Sequence, residues 1–156
     1  MTFTNGYLFL SKLWIDKIVS AIEDARAIDP ELMAKTSEFS LSVAYIVENL
    51  PQKIRELYES DKVVIYVEMD KGNLKQFNVS KEVPSEKVLD FIVTARYEIA
   101  KKNFQGELNL LSTFIKRLIK VSPWRKISTN PTFTIKSLST MIELMKVMRE
   151  VPTIFL

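Results

Sequence analysis

The chain of 156 residues contains no cysteine and no histidine. Without Cys there is no disulfide, no thiolate nucleophile and no zinc-finger or CxxC redox pair. Without His, the Ser-His-Asp and Cys-His arrangements are excluded, as is any imidazole-ligated metal or haem. Glycine is scarce at 3 residues, and neither GxGxxG nor GxxxxGK[ST] occurs, so nothing supports a glycine-rich phosphate loop. Proline numbers only 6, and no segment has linker or low-complexity composition. Long hydrophobic runs are missing too. The apolar stretch Tyr7 to Leu10 is interrupted by Lys12, Asp16 and Lys17, too soon to span a bilayer, and no basic segment or clean cleavage site frames it as a targeting signal. A cytoplasmic protein is expected. What remains is 47% hydrophobic and 26% charged, the composition of an ordinary soluble globular domain. One domain, residues 1–156, is the expectation for this length.

Charge is unevenly spread. Residues 1–80 hold 9 Lys/Arg against 12 Asp/Glu, whereas residues 81–156 hold 13 against 7. From Leu111 onward, only Glu143 and Glu150 oppose the basic residues. Such asymmetry suits an acidic partner, a membrane headgroup or a phosphate-bearing ligand, although a solvated Lys/Arg face produces it equally.

Hydrophobic periodicity organises the chain. Leu8 to Ala27 predicts an amphipathic helix, with Leu10, Leu13, Trp14, Ile18, Ala21, Ile22 and Ala25 recurring at three- and four-residue spacing. Asp29-Pro30 ends it, because proline disfavours the helical region for its predecessor, and a short helical piece follows to Ala34. From Phe39 to Val47 the period becomes two: Phe39, Leu41, Val43, Tyr45 and Val47 alternate with Glu38, Ser40, Ser42 and Ala44, predicting a half-buried strand. Pro51 starts a short helix to Glu59 whose inward face is Ile54, Leu57 and Tyr58. Val63 to Met69 and Leu74 to Val79 form a hairpin around Asp70-Lys71-Gly72-Asn73. After Pro84, Val88 to Thr94 reads as a strand, with a helix as the alternative. Strands in tight succession predict an antiparallel sheet with one face covered.

The last third turns helical: Tyr97 to Phe104, closed by Gly106 in a left-handed cap, then a short helix from about Asn109 carrying Leu111, Phe114, Ile115 and Leu118. Arg117 to Val121 can be extended, and Pro123-Trp124 and Asn130-Pro131 bracket a break. A final helix reaches Arg149, capped by Thr134 or Ser137, with an apolar stripe of Leu138, Met141, Ile142, Met145 and Met148. An apolar tail, Val151 to Leu156, ends the sequence.

No constellation supports bond chemistry. Glu23 and Asp24 are adjacent on a helix and point apart, while Glu68 and Asp70 share a strand face beside a solvent turn. The serines lack an SxxK partner. Catalytic and metal residues are therefore assigned as none, and no cofactor is expected. The basic run Lys116 to Lys126 contains a single aromatic, Trp124, among aliphatics, which argues against nucleic acid. The methionine stripe is the most suggestive feature. Met is soft and adapts to irregular apolar partners, so this helix can wall a pocket or simply pack a core.

In order, the hairpin VVIYVEMDKGNLKQFNV (Val63 to Val79), the segment VLDFIVTA, the helix start YEIAKKNFQGELN with Gly106-Glu107-Leu108-Asn109, the helix LLSTF, the extended RLIKV and the closing Met/Leu-rich helix resemble the sterol carrier protein 2 family of small lipid-binding domains. Ile115-Lys116 and Ser122-Pro123 stand where that family often has Gly and Gly-Asp. The resemblance implies an α+β fold: a curved, mainly antiparallel sheet of about five strands, helices on one face, and an apolar tunnel between them. It implies non-enzymatic binding or transfer of a fatty acid, acyl-CoA, sterol or other lipid. The ligand wall would be Leu111, Phe114, Ile115, Leu118, Leu138, Met141, Ile142 and Met145; Lys116, Arg117, Lys120, Arg125 and Lys126 would meet a head group or an anionic membrane. The alternative is an interaction or regulatory domain that presents its Met-rich C-terminal helix to a protein. Oligomeric state stays open.

Overall fold

The computed structural model describes residues 6–37, 39–83, 85 and 89–156. Residues 1–5, Glu38 of the alternating run, Pro84 and Val88 lie outside the described residues.

A two-residue strand, β1 (Tyr7–Leu8), precedes helix α1 (Lys12–Ile28). The helix starts later than its periodicity predicts, because Tyr7 and Phe9 donate their N–H groups to Pro152 and Ile154 at 2.9 and 3.0 Å. Those bonds pair β1 in parallel with β7 (Thr153–Ile154), a partner remote in sequence. Ser11 caps α1 by accepting the Trp14 N–H at 3.2 Å. Trp14, Ile15, Ile18 and Ile22 form its buried face, whereas Leu13 is 57% exposed, one position off the stripe. Asp29 ends α1 and caps α2 (Pro30–Thr36), its Oδ1 accepting from the Glu31 and Leu32 N–H groups.

Strands β2 (Leu41–Glu48), β3 (Val63–Asp70), β4 (Asn73–Ser80), β5 (Phe91–Arg96) and β6 (Lys120–Ser122) make a five-stranded sheet in the order β4-β3-β2-β5-β6. Three of its pairings are antiparallel; β2–β5 is parallel, setting Val43 beside Phe91 and Tyr45 beside Val93. The expected α+β class with a mainly antiparallel sheet of five strands is thus observed. In the β3–β4 turn, Lys71 and Gly72 have φ of 50° and 81°, the two positive values of a type I′ hairpin. Gly72 also donates its N–H to the Phe39 carbonyl at 2.8 Å, tucking the hairpin against the end of α2.

One sheet face lies in the main core with α1, α4 (Tyr97–Gln105) and α7 (Pro131–Met148). The alternation along Leu41, Val43, Tyr45 and Val47 serves this face. The opposite face departs from the half-buried expectation: Ala44, Ile46, Val64 and Tyr66 gather with Leu89 in a second, smaller apolar cluster. Between β2 and β3, helix α3 (Gln52–Tyr58) buries Ile54 but leaves Leu57 59% exposed, and Tyr58 reaches the Leu10 carbonyl with its hydroxyl.

Gly106, at φ 84°, closes α4, and Asn109 caps α5 (Leu110–Ile115) by accepting the Ser112 N–H at 2.7 Å. The stretch after Pro123, expected to be a break, is a helix, α6 (Trp124–Thr129). The final helix begins earlier than expected. Pro131 occupies its first turn and Asn130 caps it, accepting from Phe133 N–H at 3.1 Å. Thr134 and Ser137 are not caps; their hydroxyls donate to the carbonyls of Asn130 and Phe133, one turn back. Among the described residues, no helix is long and apolar enough to cross a membrane.

Candidate ligand pocket

An apolar cavity lies where α5 and α7 cross over the β2–β5–β6 part of the sheet. Its floor is Leu41, Val43 and Tyr45 of β2 with Phe91 and Val93 of β5. Leu110 of α5, Val121 of β6, and Thr134, Ser137, Leu138 and Met141 of α7 complete it. Phe133 stacks between Phe39 and Phe91, with ring centroids 6.1 and 5.7 Å apart, and pins the first turn of α7 to the sheet. The cavity volume is about 30 Å³. That is room for one or two water molecules, far below the roughly 300 Å³ at which drug-sized ligand pockets begin. Among the described residues the structure shows a small cavity between sheet and helices, and a through-going tunnel is not seen.

The walls are less polar than their residue names suggest. Thr134 and Ser137 donate their hydroxyls to carbonyls of their own helix, at 3.1 and 2.7 Å. Tyr45 contributes its ring, while its hydroxyl donates to Asn103 Oδ1 at 2.7 Å. Asn103, itself buried in α4, donates in turn to the Leu108 carbonyl at 2.9 Å and to Thr113 Oγ1 at 3.4 Å. Thr113 returns its proton to the Leu110 carbonyl at 2.9 Å. Burial pushes the Tyr45 phenol well above its ordinary range, so it stays a neutral donor. Among the described residues, no buried side-chain nitrogen or oxygen lacks a partner. A guest here meets methyl, methylene and ring surface, with no acid, base or nucleophile free to act on it.

Of the eight expected wall residues, Leu138 and Met141 line the cavity. Leu111, Phe114 and Ile142 are half-buried against the main core, and Met145 is inside it. Ile115 and Leu118 are 69% and 41% exposed. The reason is phase: α5 is six residues long and turns Leu110 and Thr113 inward, leaving Ile115 at its outer end. Met145 and Met148 are both buried, so the Met stripe is packed inside rather than displayed to a partner. The expected head-group residues Lys116, Arg117, Lys120, Arg125 and Lys126 all lie outside the cavity and are exposed. Lys120 alternates with the inward Val121 and so points to the opposite sheet face. Lys126 donates to the Leu89 carbonyl at 2.9 Å and sits 4.0 Å from Asp90. The sheet half of the wall escapes a search confined to helices. Its inward alternation is legible, but the parallel β2–β5 pairing that aligns the two strands is not.

A wider cleft of about 250 Å³ opens to solvent beside β7, between Trp14, Phe104, Arg149 and Phe155. Its walls mix apolar rings with Gln105 and the Arg149 guanidinium, and it lacks the dry, inward-bonded character of the β2–β5 cavity.

The arrangement of sheet and helices has counterparts among solved structures. A crystal structure of sterol carrier protein 2 superposes over 92% of this chain and 98% of its own, with a TM-score of 0.68 at 17% identity. A conserved hypothetical protein of Thermus thermophilus, whose description suggests a sterol carrier protein, matches over 95% and 92% with a TM-score of 0.69, again at 17% identity. The chain has the sterol carrier protein 2 fold. A third structure, sterol carrier protein 2 from Yarrowia lipolytica in its apo form, covers 93% of the chain with a TM-score of 0.50. No protein-family model and no curated relative matches the sequence, and at these identities the likeness is one of fold. Within that fold, Gly106-Glu107-Leu108-Asn109 is the junction of α4 and α5. Gly106 turns the chain, Leu108 accepts the Asn103 amide and Asn109 caps the next helix.

Proposed function

We propose that this chain is a non-enzymatic carrier for a ligand with an apolar chain, a fatty acid or acyl-CoA being the simplest case. The ligand is held between the β2–β5 floor and helices α5 and α7. The whole chain, residues 1–156, acts as one unit. The observation that carries this reading is the cavity itself: every hydroxyl in its wall is already bonded, so it favours atoms that ask for no hydrogen bond. Its small volume requires the walls to part on loading. Met141, unbranched and half-buried, and the six-residue α5 are the elements suited to give way. Each buried methylene of the guest contributes about 0.8 kcal/mol, so an eight-carbon segment offsets an opening cost of roughly 6 kcal/mol.

Delipidated protein titrated with a fluorescent fatty acid in vesicle-free buffer tests the reading. Micromolar, competable binding is expected, together with lipid recovered from the untreated protein by mass spectrometry. Ser137→Leu fills the cavity and is expected to weaken uptake at least tenfold without lowering the melting temperature. Met141→Asp is expected to abolish uptake. Failure of the parent protein to bind, or unchanged uptake in Ser137→Leu, rejects the proposal.

A further inference from the structure

The solvent-open cleft of about 250 Å³ beside β7 shares no wall residue with the β2–β5 cavity. Phe104, in the wall of the cleft, meets Tyr45, in the wall of the cavity, edge to face at 5.8 Å. Trp14 packs against the same Phe104 ring at 5.7 Å, and Phe155 of the C-terminal tail adds a half-buried ring. Polar groups are few. Thr153 is spent: its Oγ1 accepts the Trp14 indole N–H at 3.0 Å and donates to the Val151 carbonyl at 2.8 Å. Arg149 is not. Among the described residues its guanidinium has no hydrogen-bond acceptor and no carboxylate within ion-pair distance, and neither Asp nor Glu lines the cleft. The Gln105 carboxamide beside it has no partner among them either. The seat of Arg149 depends on Gly106. A Cβ there would stand 2.8 Å from Arg149 Cζ and closer still to Nη1, so the guanidinium lies across bare backbone at the C-terminal end of α4. That end carries partial negative charge, which favours a cation nearby without neutralising it.

We propose that this cleft is a second ligand site, for a small aromatic carboxylate. Its carboxylate takes the Arg149 fork, and its ring lies among Trp14, Phe104 and Phe155. A guanidinium matches a carboxylate in two parallel hydrogen bonds, and a pocket with ring walls and a few free donors fixes a small guest by shape and charge together. One unpaired cation balances one negative charge, which favours a carboxylate over a phosphate monoester with nearly two. The ring walls favour an aromatic body, because edge-to-face and offset contacts add to the area buried. A long saturated chain is disfavoured: the space is below the roughly 300 Å³ at which drug-sized pockets begin. The inference goes beyond the carrier reading and is independent of it, since the two sites have no residue in common.

The test titrates the whole chain with 2-naphthoate, neutral 2-naphthalenemethanol and octanoate, read by the two tryptophan indole N–H signals in nitrogen-15 NMR spectra. Trp14 lines the cleft and Trp124 does not, and W124F assigns the two signals. Naphthoate is expected to bind with a Kd of about 100 μM and to move the Trp14 signal while the Trp124 signal stays. The alcohol and octanoate are expected to bind at least tenfold more weakly, since each lacks one half of the recognition. R149Q is expected to weaken naphthoate binding roughly tenfold to 100-fold. G106A, which crowds the guanidinium out of its seat, is expected to weaken it as well. No binding, a Trp14 signal that does not move, equal binding of the alcohol or of octanoate, or undiminished binding by R149Q overturns the proposal. Fatty-acid uptake by R149Q is expected to match the parent; a parallel loss would make the cleft part of the carrier site and overturn the inference. A parent that binds naphthoate but takes up no fatty acid rejects the carrier reading alone.

Discussion

Removing the Tyr45 hydroxyl probes the bond that holds the cavity floor to the α4–α5 junction. Tyr45→Phe leaves the ring in the wall but takes from Asn103 Oδ1 the hydroxyl donor 2.7 Å away in a buried site. An acceptor stranded in this way costs about 1–3 kcal/mol. For a chain of this length that corresponds to a fall of roughly 4–8 °C in Tm for a 2 kcal/mol loss. Asn103→Ala is worse, because it strands the Tyr45 hydroxyl and withdraws the 2.9 Å donor from the Leu108 carbonyl. About 3–4 kcal/mol is expected, since two buried groups lose partners and a void remains. In the double variant the tyrosine proton no longer needs a partner, so the two losses do not add. Urea melts of all four proteins should give a coupling of about 1–2 kcal/mol. A coupling below about 0.5 kcal/mol, or a neutral Tyr45→Phe, would refute the claim that this bond organises the junction.

Two further measurements test the turn and the titration behaviour. A Cβ on Gly72 would stand 2.4 Å from the Thr36 carbonyl oxygen at φ +81°, whereas at Gly106, with φ +84°, the nearest atoms all belong to the movable Arg149 side chain. Gly72→Ala should therefore cost about 2–4 kcal/mol and Gly106→Ala about 1 kcal/mol in urea unfolding, and equal losses would contradict the backbone clash. Burial pushes the Tyr58 phenol up from 10.0 to about 12. Its neutral form is thus favoured in the folded state, and the contribution is complete below pH 10 and lost between pH 10 and 12. Tyr58→Phe should flatten that alkaline decline, while no imidazole contributes a transition near neutrality.

Local chemistry was legible wherever a residue's own neighbours set its conformation. Asp29-Pro30 ends α1, Gly72 supplies positive φ in the hairpin turn and Gly106 closes α4, so these boundaries follow from nearest-neighbour geometry, whereas the start of α1 behind Ser11 is set by the remote β1–β7 pairing. Leu13 and Leu57 show the limit of that logic. Both fit an apolar period, yet both face solvent, because periodicity marks a stripe to within about one residue and packing selects its centre. Asn130, Thr134 and Ser137 all carry side chains able to cap a helix; only the path of the backbone after α6 decides among them. In the candidate site, the roof residues Leu138 and Met141 came from helical spacing. The floor came from pairing across more than 40 residues of sequence, which no local period records.

The missing histidine and cysteine, the inward alternation of β2, the hairpin turn and the acid-free basic stretch from Leu108 to Ile142 are properties of the sequence by itself, because composition and neighbour spacing are enough to define them. Tertiary structure decided that β2 and β5 run parallel, that Ile115 and Leu118 face water instead of the cavity, and that the space under α7 is about 30 Å³. The physical reason is one of range. Caps, turns and charges act over a few bonds, but the volume of a cavity is a difference between the positions of elements that meet only when the chain folds.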